Sequence, residues 1–136
     1  MDTTANLSLP YIMPSQAQKH VTHNESLRML DAIVQLSVLD RDLAAPPSSL
    51  AEGDRYIVAQ NATGAWEGAA GRIAVWQDGG WAILDPRQGW TAWVVDEKVL
   101  VCWDGSSWAG ATGAATALQN LDLLGLGTAA DAENPF

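Results

Sequence analysis

The spacing of apolar residues changes twice along this chain, and each change marks a different kind of structure. Residues 1–14, MDTTANLSLPYIMP, show no period. Pro10 and Pro14 exclude regular helix there, yet Leu7, Leu9, Tyr11, Ile12 and Met13 make the segment too apolar for a free tail. It reads as an extended arm that docks, either on its own domain or on a neighbouring subunit. From residue 15 the spacing turns helical. Apolar side chains recur at Val21, Leu27, Leu30, Ile33, Val34 and Val38, with Lys19, Asn24, Arg28, Asp31 and Gln35 on the polar face, close to a 3.6-residue period. Ser15 followed by Gln18 fits a capping box, so the pattern predicts one long helix over 15–39. Its stripe is thin before Leu27, which suits packing of the first turns on a partner. The following text, DRDLAAPPSS, carries Pro46 and Pro47 and makes 40–52 a linker.

From Gly53 the period drops to two. DRYIVA, GRIAVW, WAILD, WTAWVVD and KVLVCW alternate, separated by turn text such as QDGG, PRQG, DE and DGSS. The pattern predicts about six short strands over 53–109, one antiparallel meander curled into a small sheet or partial barrel. Residues 110–136 are rich in Gly, Ala and Thr around one apolar cluster, LQNLDLLGLG, and read as a collar or connector. The expected fold class is α+β: an N-terminal extended arm and long helix, a small Trp-rich antiparallel β-meander domain, and an extended C-terminal connector.

The aromatic content sharpens the β segment. The chain has seven Trp, one Phe and two Tyr, and every Trp lies between Trp66 and Trp108. WQDGGW and WDGSSW each set four residues between two indoles. A two-residue type I′ turn at Asp78-Gly79 pairs Gln77 with Gly80 and puts Trp76 opposite Trp81, at a non-hydrogen-bonded site where side chains approach closely. A turn at Gly105-Ser106 does the same for Trp103 and Trp108. Such a pair contributes about 0.5–1.5 kcal/mol beyond its area burial, enough to staple a short hairpin. The competing use is stacking on sugar rings, with Asp78, Asp96 and Asp104 accepting hydroxyl hydrogen bonds. Trp90 and Trp93, three positions apart, point to opposite faces of a regular strand and are the candidates for glycan contact.

Charge and rare residues exclude more than they assign. A net charge of −9 argues against nucleic acid and against anionic membranes. No apolar run approaches the ~18 residues of a membrane span, and no signal peptide is visible, so synthesis in a bacterial cytoplasm is expected. A single cysteine, Cys102, excludes a disulfide within the chain and reads as a small buried hydrophobe. HVTH places His20 and His23 one helical turn apart, a spacing that can hold a metal, but no third ligand accompanies them. They read instead, with Leu27 and Leu30, as a subunit contact on the helix. No Ser-His-Asp arrangement, P-loop or dinucleotide fingerprint is present. Asp85, Asp96 and Glu97 stand out little among 16 acidic residues. The expectation is a protein without enzymatic activity, metal or cofactor.

Several stretches together carry a resemblance. PSQAQKHVTHNESLRMLDAIVQLSVLDRDL, SLAEGDRYIVAQNATGAWEG, RIAVWQDGGWAILDPRQGWTAWVVDE, VLVCWDGSSW and LQNLDLLGLGTAADAENPF are similar to an uncharacterised family of phage tail and gene-transfer-agent spike proteins, over about Leu9 to Phe136. The resemblance implies a virion structural part: the base of a head spike at a capsid vertex, or of a phage tail fibre. Such parts help attach the particle to host capsule polysaccharide. It implies a symmetric homo-oligomer, a pentamer favoured over a trimer. Its partners would be a capsid or portal/tail protein, a spike fibre protein and capsule polysaccharide, and its final location the released particle. In that setting Leu7, Leu9, Tyr11, Ile12 and Met13 would dock in the shell. The alternative, from a different class, is a carbohydrate-binding module acting through exposed Trp90 or Trp93.

Overall fold

The computed structural model describes residues 2–12 and 19–111. The chain is mixed α and β. Among the described residues lie one α-helix, α1 (Lys19–Ile33), and seven strands: β1 (Ser37–Val38), β2 (Arg55–Ile57), β3 (Ile73–Gln77), β4 (Gly80–Leu84), β5 (Thr91–Val94), β6 (Val99–Trp103) and β7 (Trp108–Gly110). The strands do not make one curled meander. They form two sheets, β2-β3-β4 and β1-β5-β6-β7. The break falls between Asp85 and Gly89, where Pro86 has no N–H to offer a ladder.

The long helix expected over 15–39 stops at Ile33. Val34 N–H still bonds Leu30 O at 2.9 Å, but Gln35 takes a φ of 54°, the left-handed turn that closes helix C-termini. The chain then runs extended, and Ser37 and Val38 pair in parallel with Trp93 and Val94. Val38 continued the helical stripe in sequence; it is a buried strand residue. The Ser15–Gln18 capping box, Met13 and the connector over 112–136 lie outside the described residues.

The extended N-terminal arm is also corrected. Residues 2–12 fold back as a hook, in which Thr4 N–H bonds Leu9 O and Tyr11 N–H bonds Asp2 O, both at 2.9 Å. Buried Asp31 clamps the hook to α1, its carboxylate accepting the N–H groups of Asn6 (2.8 Å) and Leu7. Asn24 brackets Ile12, accepting its N–H at 2.9 Å and donating to its carbonyl at 3.1 Å. Leu7, Leu9, Tyr11 and Ile12 are thereby half-buried. An apolar arm of this length satisfies itself locally because Asp31 and Asn24 supply the polar partners its backbone needs.

Between the sheets lies a shared core of Leu36, Val38, Ile57, Ile73, Val75, Ala92, Val94 and Val101. The first sheet has a second core on its other face, built from Tyr56, Val58, Trp66, Ala69 and Ala74. There the β2–β3 loop folds back over the sheet, and Trp66 on a single 3-10 turn is fully buried. Arg55 is buried beside the shared core, donating to Ala32 O at 2.9 Å and Ser37 Oγ at 3.2 Å. Burial lowers its guanidinium pKa, partly opposed by the charge of Asp31.

The two sheets contain the same three-stranded unit. In the first, Gly53 N–H bonds Trp76 O (2.8 Å) and Trp76 N–H bonds Asp54 O (2.9 Å). In the second, Gly89 N–H bonds Trp103 O and Trp103 N–H bonds Trp90 O, each at 2.8 Å. Both entry glycines hold left-handed backbone, φ 89° at Gly53 and 97° at Gly89, which favours glycine at each. Each unit then ends in a hairpin closed by a tryptophan pair, Trp76 opposite Trp81 and Trp103 opposite Trp108.

Candidate functional site: the open face of the second sheet

The tryptophan pairs are structural. Asp78 (φ 53°) and Gly79 (φ 75°) form the type I′ turn expected, and the Trp76 and Trp81 rings meet edge to face at 5.1 Å. Trp81 also meets Trp66 at 5.1 Å and Tyr56 at 6.1 Å. The second turn is capped by a side chain: Asp104 Oδ1 accepts the Ser106 and Ser107 N–H groups at 2.9 Å. These backbone hydrogen bonds hold the Asp104 carboxyl below the usual carboxylate range. Trp103 and Trp108 pack at 5.5 Å. Trp108 Nε1–H donates to Gly71 O at 2.8 Å, tying the second unit to the loop of the first.

The two remaining indoles part company. Trp90 packs against the shared core, whereas Trp93 is 43 % exposed. Pairing sets its neighbours: Trp93 lies opposite Leu100, Thr91 opposite Cys102, and Cys102 opposite Ala109. Strand alternation then puts Thr91, Trp93, Leu100, Cys102 and Ala109 on one outward face, while Ala92, Val94 and Val101 face the core. Leu100 is 44 % exposed, and Val95, just past β5, is 41 % exposed. Among the described residues this outward face carries no charged side chain. Charges gather at its end, where Arg41 pairs with Glu97 through two bonds of 2.8 and 2.9 Å.

A second apolar surface runs along α1. Val21, Met29, Leu30 and Val34 are exposed, and Thr22, Glu25, Ser26, Met29, Leu30 and Ile33 line a groove of about 460 Å³. Of the helix residues singled out in sequence, Leu30 and His23 are exposed and Leu27 is half-buried. The His20 side chain lies outside the described residues. Another groove, about 350 Å³, separates α1 from β3–β4 and is lined by Glu25, Arg28, Gln77, Asp78 and Trp81 among others.

Sequence reasoning missed one cluster. Carboxylate oxygens of Asp40, Asp42 and Asp96 lie within 4.8 Å of one another. Desolvation, then the charges of Asp40 and Glu97, raises the Asp96 carboxyl above its ordinary value. The hydrogen bond from Arg41 lowers that of Glu97. These carboxylates are the described residues best placed for a cation, with Arg41 beside them as a competing positive charge. No linear spacing announces them, because the β1–β5 pairing brings the two segments together.

No helix among the described residues is long and apolar enough to cross a membrane. No curated protein matches the chain. One family's sequence model, described as a protein of unknown function (DUF2793), matches residues 23–109. That stretch holds most of α1 and both three-stranded units with their two Trp-paired hairpins. The chain therefore belongs to the DUF2793 family.

Proposed function

We propose that the chain is a structural subunit, the homo-oligomeric base of a head spike or fibre on a phage-like particle that helps attach the particle to its host. One observation carries the reading. A chain of net charge −9 leaves two separate apolar surfaces open, the α1 stripe and the outward face of the second sheet. Open patches of this kind mark surfaces that are covered by a partner in use. The resemblance in sequence supplies the particle context, a capsid or tail partner, and a ring of five copies over three.

Electron cryo-microscopy of intact particles, without imposed symmetry at vertices and tail, tests this. Density for a ring at the capsid vertices or a fibre root supports it and gives the copy number. Absence of the chain from every particle sinks it.

The second reading, a module for capsule polysaccharide, is favoured only by the exposure of Trp93. Titration with capsule polysaccharide checks it: a fluorescence shift lost in Trp93→Ala supports it, and no shift removes it.

A further inference from the structure

We propose that the open edge of β4, together with Arg28 of α1, is a docking groove for an extended polypeptide segment of a partner protein. The segment carries an apolar residue followed two positions later by a carboxylate.

The edge sets the chemistry of the occupant's backbone. β4 is the last strand of the first sheet. Gly80, Ala82 and Leu84 exchange hydrogen bonds with β3, so the N–H and C=O groups of Trp81 and Ile83 point away from it. Among the described residues nothing bonds to either. The opposite edge of this sheet is closed, because the β1 segment meets β2 through Leu39 N–H on Arg55 O and Ile57 N–H on Asp40 O. Exposed edges are commonly blunted by a charge, a proline or a bulge. GWAIL has neither charge nor proline, and its register with β3 is unbroken. Two donor–acceptor pairs repeating every second residue match an added strand. A helix has no backbone groups to spare for them.

α1 supplies the other wall. The groove of about 350 Å³ between α1 and the hairpin runs beside this edge. Its apolar end is where Ala32, Ala82 and Leu84 meet at the shared core. Its polar end holds Arg28, tied to the hairpin where Gln77 Nε2 donates to Arg28 O at 3.0 Å. The Arg28 guanidinium lies over the Tyr11 ring, 5.2 Å from its centroid. Among the described residues its buried Nε finds no hydrogen-bond partner and the side chain forms no ion pair. Nearby Glu52 is engaged, both its oxygens accepting Asp78 N–H at 3.1 and 3.0 Å. An arginine held in place without a carboxylate is a fork for one supplied from outside. Glu25 and Asp78 also line the groove, so a singly charged carboxylate fits better than a dianionic phosphate.

Register then orders the occupant. Side chains of an added strand that face α1 lie opposite Gly80, Ala82 and Leu84. In the antiparallel sense, which this whole sheet follows, the residue opposite Ala82 comes two positions before the one opposite Gly80. The first meets the apolar end. The second reaches Arg28 over Gly80, where nothing lies within 4 Å of the side-chain position. The spans agree: two strand residues cover about 6.8 Å, and the turn from Arg28 to Ala32 rises about 6 Å. The β4 edge of a second copy does not meet these terms. Its Trp81 and Ile83 would take the hydrogen bonds, and its Gly80, Ala82 and Leu84 would face α1 with no acidic group among them.

Amide hydrogen exchange on the full chain tests the groove, with the capped peptide Thr-Thr-Val-Thr-Glu-Thr-Thr as probe. The peptide should slow exchange at Trp81 and Ile83 and leave β6 unchanged. Replacing its Glu by Gln, or exchanging its Val and Glu, should weaken binding about tenfold, the scale of one charge-assisted pair. In Arg28→Gln the Glu and Gln peptides should bind alike. If that variant melts well below wild type, Arg28→Lys takes its place; it keeps the charge, loses the planar fork, and should lower the preference for Glu. No slowing at Trp81 and Ile83, equal binding of the Glu and Gln peptides to the wild type, or a preference left unchanged by the Arg28 variant would each overturn the proposal. So would slowing at these amides that grows with protein concentration alone, which would make a second copy the occupant.

Discussion

The two three-stranded units share a backbone plan and differ in what lies on each side of it. In the first, the β2–β3 loop is long enough to fold back and press Trp66 onto Tyr56, Ala74 and Trp81. In the second, the connection between β5 and β6 is a tight turn closed by Lys98 N–H on Val94 O at 2.7 Å, and it covers nothing. The same pleated scaffold is therefore covered on both faces in one case and open on one face in the other.

The largest test of that contrast compares two indoles. Trp66→Ala should cost about 3–5 kcal/mol, as for a fully buried aromatic, while Trp93→Ala should stay within about 0.5 kcal/mol, as at an open surface. Denaturant unfolding measures both, and similar losses would mean that the second sheet's outward face is covered within one chain. Among the described residues Trp66 Nε1 finds no hydrogen-bond partner although buried. Trp66→Phe should therefore lose far less than the alanine variant.

Next comes the clamp, which has no counterpart in the second unit. Asp31→Ala removes two hydrogen bonds to a buried carboxylate and should cost about 2–4 kcal/mol. Hydrogen exchange at Asn6 and Leu7 should rise well above that of β3, and unchanged protection would show that the hook holds without Asp31.

The equivalent glycines sharpen the comparison further. Alanine at either pays for left-handed backbone, about 1–2 kcal/mol. At Gly53 the added Cβ would also lie 2.6 Å from Ala5 Cβ, while nothing lies within 4 Å at Gly89. Thermal unfolding should therefore rank Gly53→Ala below Gly89→Ala; the reverse order would contradict the docking of the hook.

The smallest effect is a pH dependence of the second hairpin. The folded pKa of Asp104 is depressed by the Ser106 and Ser107 amides. Its stabilisation is complete above the ordinary carboxylate range and is lost as pH falls through the depressed value. The near-ultraviolet signal of Trp103 and Trp108 should weaken in acid before that of Trp76 and Trp81. Asp104→Asn should abolish this difference in order.

Hairpins were the most legible feature of the sequence, because alternation and Asp-Gly turns act over a few residues. Trp76 and Trp81 could be paired from turn chemistry alone. What failed was non-local. Val38 fits a helical stripe as well as a strand, and only the distant Trp93 and Val94 make it a strand. One meander became two sheets because β4 and β5 do not pair, which alternation cannot reveal. The hook depends on Asp31, which reads in sequence as one more residue on a polar helix face. Of the candidate site, exposure of one member of Trp90 and Trp93 followed from their spacing. That the outward face is charge-free required the register of β5 with β6.

The parallel pairing of β1 with β5 has a consequence for synthesis. β1 leaves the ribosome before the whole first unit, but its partner strand follows only after that unit is complete. At ordinary elongation rates the wait is on the order of seconds, far longer than a hairpin needs to form. The first unit can gather its own Trp66 core in that interval and hold the end of β1 through Leu39 N–H on Arg55 O, while the Leu36 and Val38 carbonyls wait for β5. The nascent chain thus carries a delayed closure, and its most aggregation-exposed moment falls just before Trp93 and Val94 emerge.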